Sequence, residues 1–96
     1  MLSTSDLIKG ETYYVRYDAH ETAIVLCEHG GSLSSACGIH INDEKFGYYT
    51  NNHWQPNTIE RIASDEEREW LRKSFWAGRL VPAPTPSEIV NDFQIY

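Results

Sequence analysis

Five short stretches rich in β-branched and aromatic residues come before the one strong helix signal of this chain, and this order restricts the fold more than any other feature. Turn-forming residues precede and separate the stretches: Lys9-Gly10 comes before the first stretch, and the segment GGSLSS at residues 30–35 lies between the second and the third. Strands followed by a single late helix predict a small, β-rich α+β domain. We expect an SH3-like five-stranded barrel with an appended helix; the alternative is an open, bent antiparallel sheet with the helix across one face.

The predicted strands follow from alternation and from local apolar content. In the first strand Tyr13, Val15 and Tyr17 share one face, because side chains alternate along a strand, and this face is predicted to meet the core. The second strand is apolar enough in its middle to be central in the sheet. The five predicted strands are 13–17, 22–29, 36–41, 45–50 and 57–63.

The helix signal lies in SDEEREWLRKSFWAG at residues 64–78. Ser64 and Glu67 have the spacing of a capping box, and Gly78 supplies a stop, so the predicted helix covers residues 65–77. A period of 3.6 residues predicts a core-facing stripe with these members: Glu67, Trp70, Leu71, Ser74 and Phe75.

Trp76 falls nearly opposite Leu71 on this helix and is therefore predicted to be exposed. A large exposed apolar side chain is usually covered within an assembly. We expect a homo-oligomer in which Trp76 or the chain end around Ile89 to Ile95 packs on a second subunit. The competing expectation is that Phe93 covers Trp76 within one chain.

The chain of 96 residues is long enough for one domain, predicted at residues 1–81, followed by a tail at residues 82–96. Three prolines, Pro82, Pro84 and Pro86, favour an extended path at the start of the tail.

The net charge of −6 indicates a surface that repels phosphate backbones, so direct nucleic-acid binding is not expected. An acidic surface is instead suited to a basic protein partner. The longest apolar run, residues 23–27, is far too short to cross a bilayer, and the first ten residues lack the pattern of a signal peptide. We therefore expect a cytoplasmic protein.

Both cysteines and two histidines lie in CEHGGSLSSACGIH at residues 27–40. Cys27, His29, Cys37 and His40 are candidate zinc ligands, but their C-x-H and C-x-x-H spacing differs from that of usual structural zinc sites. A disulfide across a hairpin is the second possibility, and a hairpin with two buried thiols is the prediction. The segment contains no nucleophile motif, so no catalytic residue and no cofactor are predicted.

The segment GYYTNNHWQPN at residues 47–57 concentrates aromatic and amide side chains, which are common at binding surfaces. In an alternative interpretation Trp54 caps the open end of the barrel and the amides form turn bonds. The predicted binding residues, including two from the helix end, are Tyr48, Tyr49, Asn52, His53, Trp54, Trp76 and Arg79.

The helix segment also resembles a known group of proteins. Residues 59–81 are similar to the C-terminal part of small accessory proteins of bacteriophages, especially those of Bacteroidota-like hosts, which carry the pattern I-R-x-A-[ST]-x-E-E-x-x-W-L-x-x-C-x-x-A-G-x-x-V. The chain departs from this pattern at Ser74, where the family usually has cysteine, and at Trp76, where it usually has a polar residue. The matching residues are Arg61, Ala63, Ser64, Glu66, Glu67, Trp70, Leu71, Ala77, Gly78 and Val81. The resemblance implies a viral or prophage origin, and the expected location is then the cytoplasm of the host cell.

These observations lead to three hypotheses about function. The preferred one is a non-enzymatic phage-type accessory protein that binds, and inhibits, a host protein such as a defence component. The second is an oligomer that sequesters a nucleotide-like small molecule, with Tyr48, Tyr49 and Trp54 stacking on a base and Arg61 or Arg79 contacting phosphate. The third is a zinc-binding domain.

Overall fold

The computed structural model describes residues 2–43 and 45–83. Most of the predicted tail, including the predictions for Ile89 to Ile95 and Phe93, lies outside the described residues. The elements in chain order are a short 3-10 helix (Thr4–Asp6), β1 (Thr12–Arg16), β2 (Glu21–Leu26), β3 (Ala36–Asn42), β4 (Lys45–Asn52), β5 (Thr58–Ile62) and α1 (Asp65–Ala77). Five strands and one late helix were predicted, and the bounds of the helix agree with the prediction.

The five strands form one antiparallel sheet in the order β4-β3-β2-β1-β5. The sheet is not closed, so the open, bent sheet is the correct one of the two predicted architectures. β2 is central, as its apolar sequence predicted, and β4 and β5 are the two edges. Leu2 forms an isolated bridge with Ile59 of β5, whereas β4 pairs with β3 alone among the described residues.

One face of the sheet carries the larger of the two core clusters. Tyr13 and Val15 are buried in it and Tyr17 packs at its margin, which confirms the core face predicted for the first strand. Residues before β1 and between the strands complete the cluster. Its buried members are Leu7, Tyr13, Val15, Ala23, Val25, Cys27, Leu33, Ala36, Trp54 and Ile59.

Helix α1 covers part of the opposite face, where it contacts β2 and β3. The side chains that meet there are apolar and come from the sheet, the β5–α1 connection and the helix. The buried members are Ile24, Cys37, Ile39, Ala63, Trp70 and Leu71. Each of these side chains removes apolar surface from water, which stabilises the fold by about 25 cal/mol for each Å² buried.

The helix begins and ends by the chemistry that its sequence predicted. The Glu67 amide donates to Ser64 Oγ at 3.2 Å, and the Ser64 amide donates to Glu67 Oε1 at 2.7 Å. Gly78 has φ +69°, a left-handed conformation that favours glycine. No helix within residues 2–43 and 45–83 is long and apolar enough to cross a membrane.

The predicted core stripe of α1 was wrong at one position. Phe75 is 55% exposed, whereas Ser74 is fully buried. The reason is that the chain reverses after Gly78 and returns along the helix: the Val81 amide donates to Ser74 Oγ at 3.2 Å, and the Trp70 indole donates to the Val81 carbonyl at 2.8 Å. The returning segment covers Ser74 and leaves Phe75 beyond the packed surface.

Candidate binding site

Three of the predicted binding residues meet at one place on the sheet. Tyr49, Asn52 and Trp54 line a depression of about 310 Å³ together with Tyr17 and His40. We call this set of five residues the aromatic depression. It lies on the face of the sheet opposite α1.

The register of the two neighbouring strands brings these residues together. Tyr49 of β4 pairs with Gly38 of β3, and Gly47 pairs with His40. Directly opposed residues in an antiparallel pair project on the same face, and so do residues two apart on one strand, such as Gly38 and His40. Tyr49 and His40 therefore both face the depression.

Gly38 allows the indole of Trp54 to lie against β3. A Cβ atom on Gly38 would come within 2.8 Å of Trp54 Cζ2 and of the Ile24 carbonyl oxygen. The Trp54 indole donates to the Ala36 carbonyl at 3.0 Å and the side chain is only 4% exposed. Trp54 therefore forms the floor of the depression. It is buried, as in the alternative interpretation, but the sheet is not closed and offers no barrel end for it to cap.

Tyr49 forms one wall and is the accessible aromatic residue of the set. Half of it is exposed, and its ring lies over Gly47, where a Cβ atom would approach the ring to 2.7 Å. The Tyr49 and Trp54 rings meet edge to face, with centroids 6.3 Å apart at an angle of 67°. Contacts with Gly47 and with Trp54 restrict this ring, and half of it remains exposed.

Tyr17 and His40 form a second edge-to-face pair, with centroids 6.0 Å apart at 66°. His40 Nε2 lies 3.3 Å from Glu21 Oε2. Burial and the Glu21 carboxylate both raise the pKa of the Tyr17 phenol, against an opposing hydrogen bond with the Gln55 backbone. Burial is the largest cause of this shift in pKa, and the Glu21 carboxylate adds a smaller one.

The other predicted binding residues lie elsewhere. Tyr48 is on the α1 face opposite Ile39, and burial raises the pKa of its phenol. His53 is exposed and its Nδ1 lies 2.7 Å from Ser34 Oγ. Trp76, 75% exposed as predicted, and Arg79 belong to the C-terminal end of the helix region, and neither lines the depression.

Tyr17 and His40 were not predicted as binding residues. Tyr17 was assigned to the core face and His40 was considered only as a metal ligand. Their approach depends on the β2–β3 pairing and on the bend of the sheet, which local sequence patterns do not encode.

The cysteines confirm the prediction of two buried thiols. Both are free and buried, but Cys27 belongs to the larger core cluster and Cys37 to the cluster under α1. Cys27 Sγ donates to the His29 carbonyl at 3.1 Å, and burial, with a smaller contribution from Glu28, raises the pKa of Cys37 to about 11. Within the described part of the chain, no three His, Cys, Asp or Glu side chains form a group that could hold a metal ion.

Two further hollows border α1. An apolar one of about 240 Å³ lies under Phe75 and reaches Cys37. A second, of about 490 Å³, lies between α1 and residues 81–83, where the described chain ends. Neither is lined by any of the seven predicted binding residues.

Comparison with known proteins gives no relative: no family model, no curated protein and no solved structure matches this chain. The resemblance of residues 59–81 to phage accessory proteins therefore stays a prediction from sequence.

Proposed function

We propose that this protein is a non-enzymatic binding protein that recognises a partner protein through the aromatic depression. One observation carries the proposal: the fold positions an exposed tyrosine ring over a glycine, against a buried indole, with the exposed amide of Asn52 beside it. A rigid aromatic ring with a neighbouring hydrogen-bonding amide loses little conformational entropy on binding, and such residues dominate many interfaces.

Binding fits the arrangement of polar side chains better than catalysis does. Among the described residues, the serine–histidine contact is Ser34 with His53, and both side chains are on the surface. A hydrolytic pair also needs a group that orients the histidine and donors that stabilise an oxyanion. No carboxylate within the described ranges contacts His53.

The resemblance of the helix segment and the acidic surface favour a host protein as the partner. A net charge of −6 speeds association with a basic surface. We propose a phage-type accessory role in which binding inhibits the host protein, such as a component of defence.

The experiment compares three tagged proteins as bait in a Bacteroidota lysate: wild type, Tyr49→Ala and Thr50→Ala. Thr50 is the matched control because it is an exposed neighbour on β4 and projects to the opposite face. We expect the wild-type and Thr50→Ala baits to retain the same partner protein. The recovery of this protein on the Tyr49→Ala bait is expected to be at least tenfold lower, measured by quantitative mass spectrometry. Equal recovery on all three baits would show that the depression is not the binding surface.

A nucleotide-like small molecule is the second candidate, since the depression combines stacking surfaces with an amide. The phosphate partners proposed for it are poorly placed: Arg61 is paired with Glu67 and lies over the Tyr14 ring, and Arg79 does not line the depression. A rise in melting temperature with nucleotides that Tyr49→Ala abolishes would favour this candidate, whereas no shift at millimolar concentration excludes it.

We also propose that the protein self-associates through α1. Glu66, Glu69, Lys73 and Trp76 form one stripe along the helix, at spacings of three and four residues. The first three border the hollow beside residues 81–83, and Trp76 is exposed. Two such helices packed antiparallel about a two-fold axis place Glu69 of one beside Lys73 of the other, and each Trp76 is then covered. Because this stripe carries opposite charges, it is complementary to the same stripe on a second copy of the chain, and this favours a second copy as the partner of α1.

A further inference from the structure

The charged side chain in contact with the aromatic depression is negative. None of its five lining residues is a lysine or an arginine. Glu21, at the start of β2, places a carboxylate oxygen 3.3 Å from His40 Nε2, whereas the basic residue of β4 on this face, Lys45, lies opposite Asn42. The chain as a whole carries a net charge of −6, which adds to the negative field.

The rings of the depression are arranged so that they offer more than apolar contact. The Tyr49–Trp54 and Tyr17–His40 pairs are each inclined at nearly 70°, so that within each pair the two rings face different directions around the same hollow. The faces of aromatic rings carry negative charge density and attract cations placed within about 6 Å of the centroid. The carbonyl oxygen of the exposed Asn52 amide is available to accept a hydrogen bond from the same cation.

We propose that the aromatic depression binds a basic side chain, an arginine or a lysine, of the partner protein. The proposal rests on the proposed function and adds to it the chemistry of the group recognised. The basic head lies against the Tyr49 face and donates to Asn52, while Glu21 supplies long-range attraction through the wall formed by His40. Arginine is favoured over lysine because its planar, weakly hydrated guanidinium stacks on a ring.

A neutral apolar side chain is the competing occupant, since it would fill the same hollow. The two occupants differ in their dependence on charge. Binding of an apolar group depends on buried area alone and is insensitive to Glu21, whereas attraction of a cation falls when that carboxylate is removed or when salt screens it.

The experiment uses Nα-acetyl-arginine amide and its neutral isostere Nα-acetyl-citrulline amide, each titrated into the intact protein. The Nα-acetyl-lysine amide is a third arm. Binding is followed by NMR at the Trp54 indole proton and the Asn52 side-chain amide, with the indoles of Trp70 and Trp76 as internal references. The proteins compared are wild type, Glu21→Gln, Tyr49→Ala and Tyr49→Phe.

Wild type is expected to bind the arginine compound with a millimolar Kd and the citrulline compound at least fivefold more weakly, with shifts at Trp54 and Asn52. Glu21→Gln is expected to raise the Kd by two- to fourfold, and Tyr49→Ala by at least fivefold. Tyr49→Phe is expected to bind like wild type because the ring face is kept. Proton–nitrogen spectra of each variant without ligand verify that it is folded.

Equal shifts with citrulline, or a Kd indifferent to Glu21→Gln, would overturn the preference for a basic group. No shift at Trp54 or Asn52 with either compound would overturn it as well. Such results would not decide the proposed function. That proposal is tested by whether the Tyr49→Ala bait fails to capture the partner protein that the wild-type bait retains.

Discussion

Gly38 determines how closely Trp54 packs on the sheet, and thereby the depth of the aromatic depression. A methyl group at this position meets the Ile24 carbonyl oxygen and the indole at 2.8 Å. The backbone oxygen cannot give way without distorting β2, so the indole must move. We predict that Gly38→Ala lowers the free energy of unfolding by about 1–3 kcal/mol, measured by urea titration, because the core is overpacked.

Gly30→Ala is the matched control for Gly38→Ala. The nearest atom to a Cβ there, the Leu7 carbonyl oxygen, is 3.9 Å away, which is ordinary contact. We expect this variant to keep wild-type stability or to gain up to about 1 kcal/mol, as compatible glycine replacements do. Equal losses in the two variants would show that Gly38 plays no special part in the packing of Trp54.

Whether Trp54 lies at a binding surface or in the core could not be decided from the sequence. Its position in an aromatic, amide-rich segment indicated a binding surface, and the competing interpretation placed it in the core. Which of the two holds depends on Gly38, sixteen positions earlier, and on the Ala36 carbonyl that accepts its indole proton. Tyr49 and Asn52 could be identified from the same segment because they lie on an exposed strand, and their exposure does not depend on residues distant in the sequence.

The Cys37 thiol predicts a dependence of stability on pH in the alkaline range. Burial raises its pKa from an ordinary value of 9.0 to about 11. The unfolded chain loses this proton first as pH rises, so the stability that the protonated thiol contributes is present below pH 9 and lost between about pH 9 and pH 11. We predict that wild type loses about 1–2 kcal/mol more over this range than Cys37→Ala. Parallel pH profiles for the two proteins would contradict the prediction.

At the scale of elements, Glu67 connects the helix cap to the sheet. It completes the capping box with Ser64 and accepts hydrogen bonds from Arg61 of β5 at 2.7 and 3.1 Å. The Arg61 guanidinium in turn lies 4.2 Å from the centre of the Tyr14 ring. Burial opposes ionisation of Glu67, but the hydrogen bonds from Arg61 and Ser64 outweigh it and lower the pKa of Glu67.

A carboxylate with a lowered pKa stabilises the fold above its ordinary pKa of 4.5, and this contribution is lost as pH falls through the folded value. We predict that Glu67→Gln lowers the free energy of unfolding at pH 7 by about 1–2 kcal/mol and flattens the acid limb of the stability profile. Glu66→Gln, at the exposed neighbour, is expected to change stability by less than about 0.5 kcal/mol. The idea fails if the two variants are equally stable.

The helix could be predicted almost completely from sequence because its signals are local. Ser64, Glu67 and Gly78 act within one turn of each helix end, so the bounds agree with the structure. The assignment of Phe75 was wrong because it depends on a non-local event, the return of the chain that brings Val81 to Ser74. A helical period identifies the face that is apolar, but not how far along the helix the packing partner extends.

At the scale of the whole molecule, the pairing of strands decides what the sequence could not. Fold class and the central position of β2 follow from apolar content, whereas the choice between a closed barrel and an open sheet depends on how the sheet bends. The same pairing brings Tyr17, just after β1, and His40, on β3, close to Tyr49 on β4. The site residues on β4 could therefore be predicted, whereas Tyr17 and His40, which form the opposite wall of the depression, could not.

Self-association is a prediction at this scale. We expect sedimentation to show a dimer for wild type and a monomer for Trp76→Glu, because the change places an acidic group in the proposed helix contact. Lys73→Glu is expected to weaken the dimer at least tenfold, and the double variant Glu69→Lys, Lys73→Glu to restore it, since the exchanged charges again oppose each other. A wild-type monomer, or a double variant no better than Lys73→Glu, would contradict the antiparallel arrangement.

The most direct test of the binding function is site-specific photo-crosslinking in bacterial cells, with benzoylphenylalanine placed at position 49, 50 or 76 in separate proteins. The substitution at Tyr49 keeps an aromatic ring over Gly47, and positions 50 and 76 report the opposite face of β4 and the helix contact. We expect a discrete adduct with a different protein from position 49, none from position 50, and an adduct of twice the chain mass from position 76. A partner adduct from position 50 or 76 in the absence of one from position 49 would contradict it.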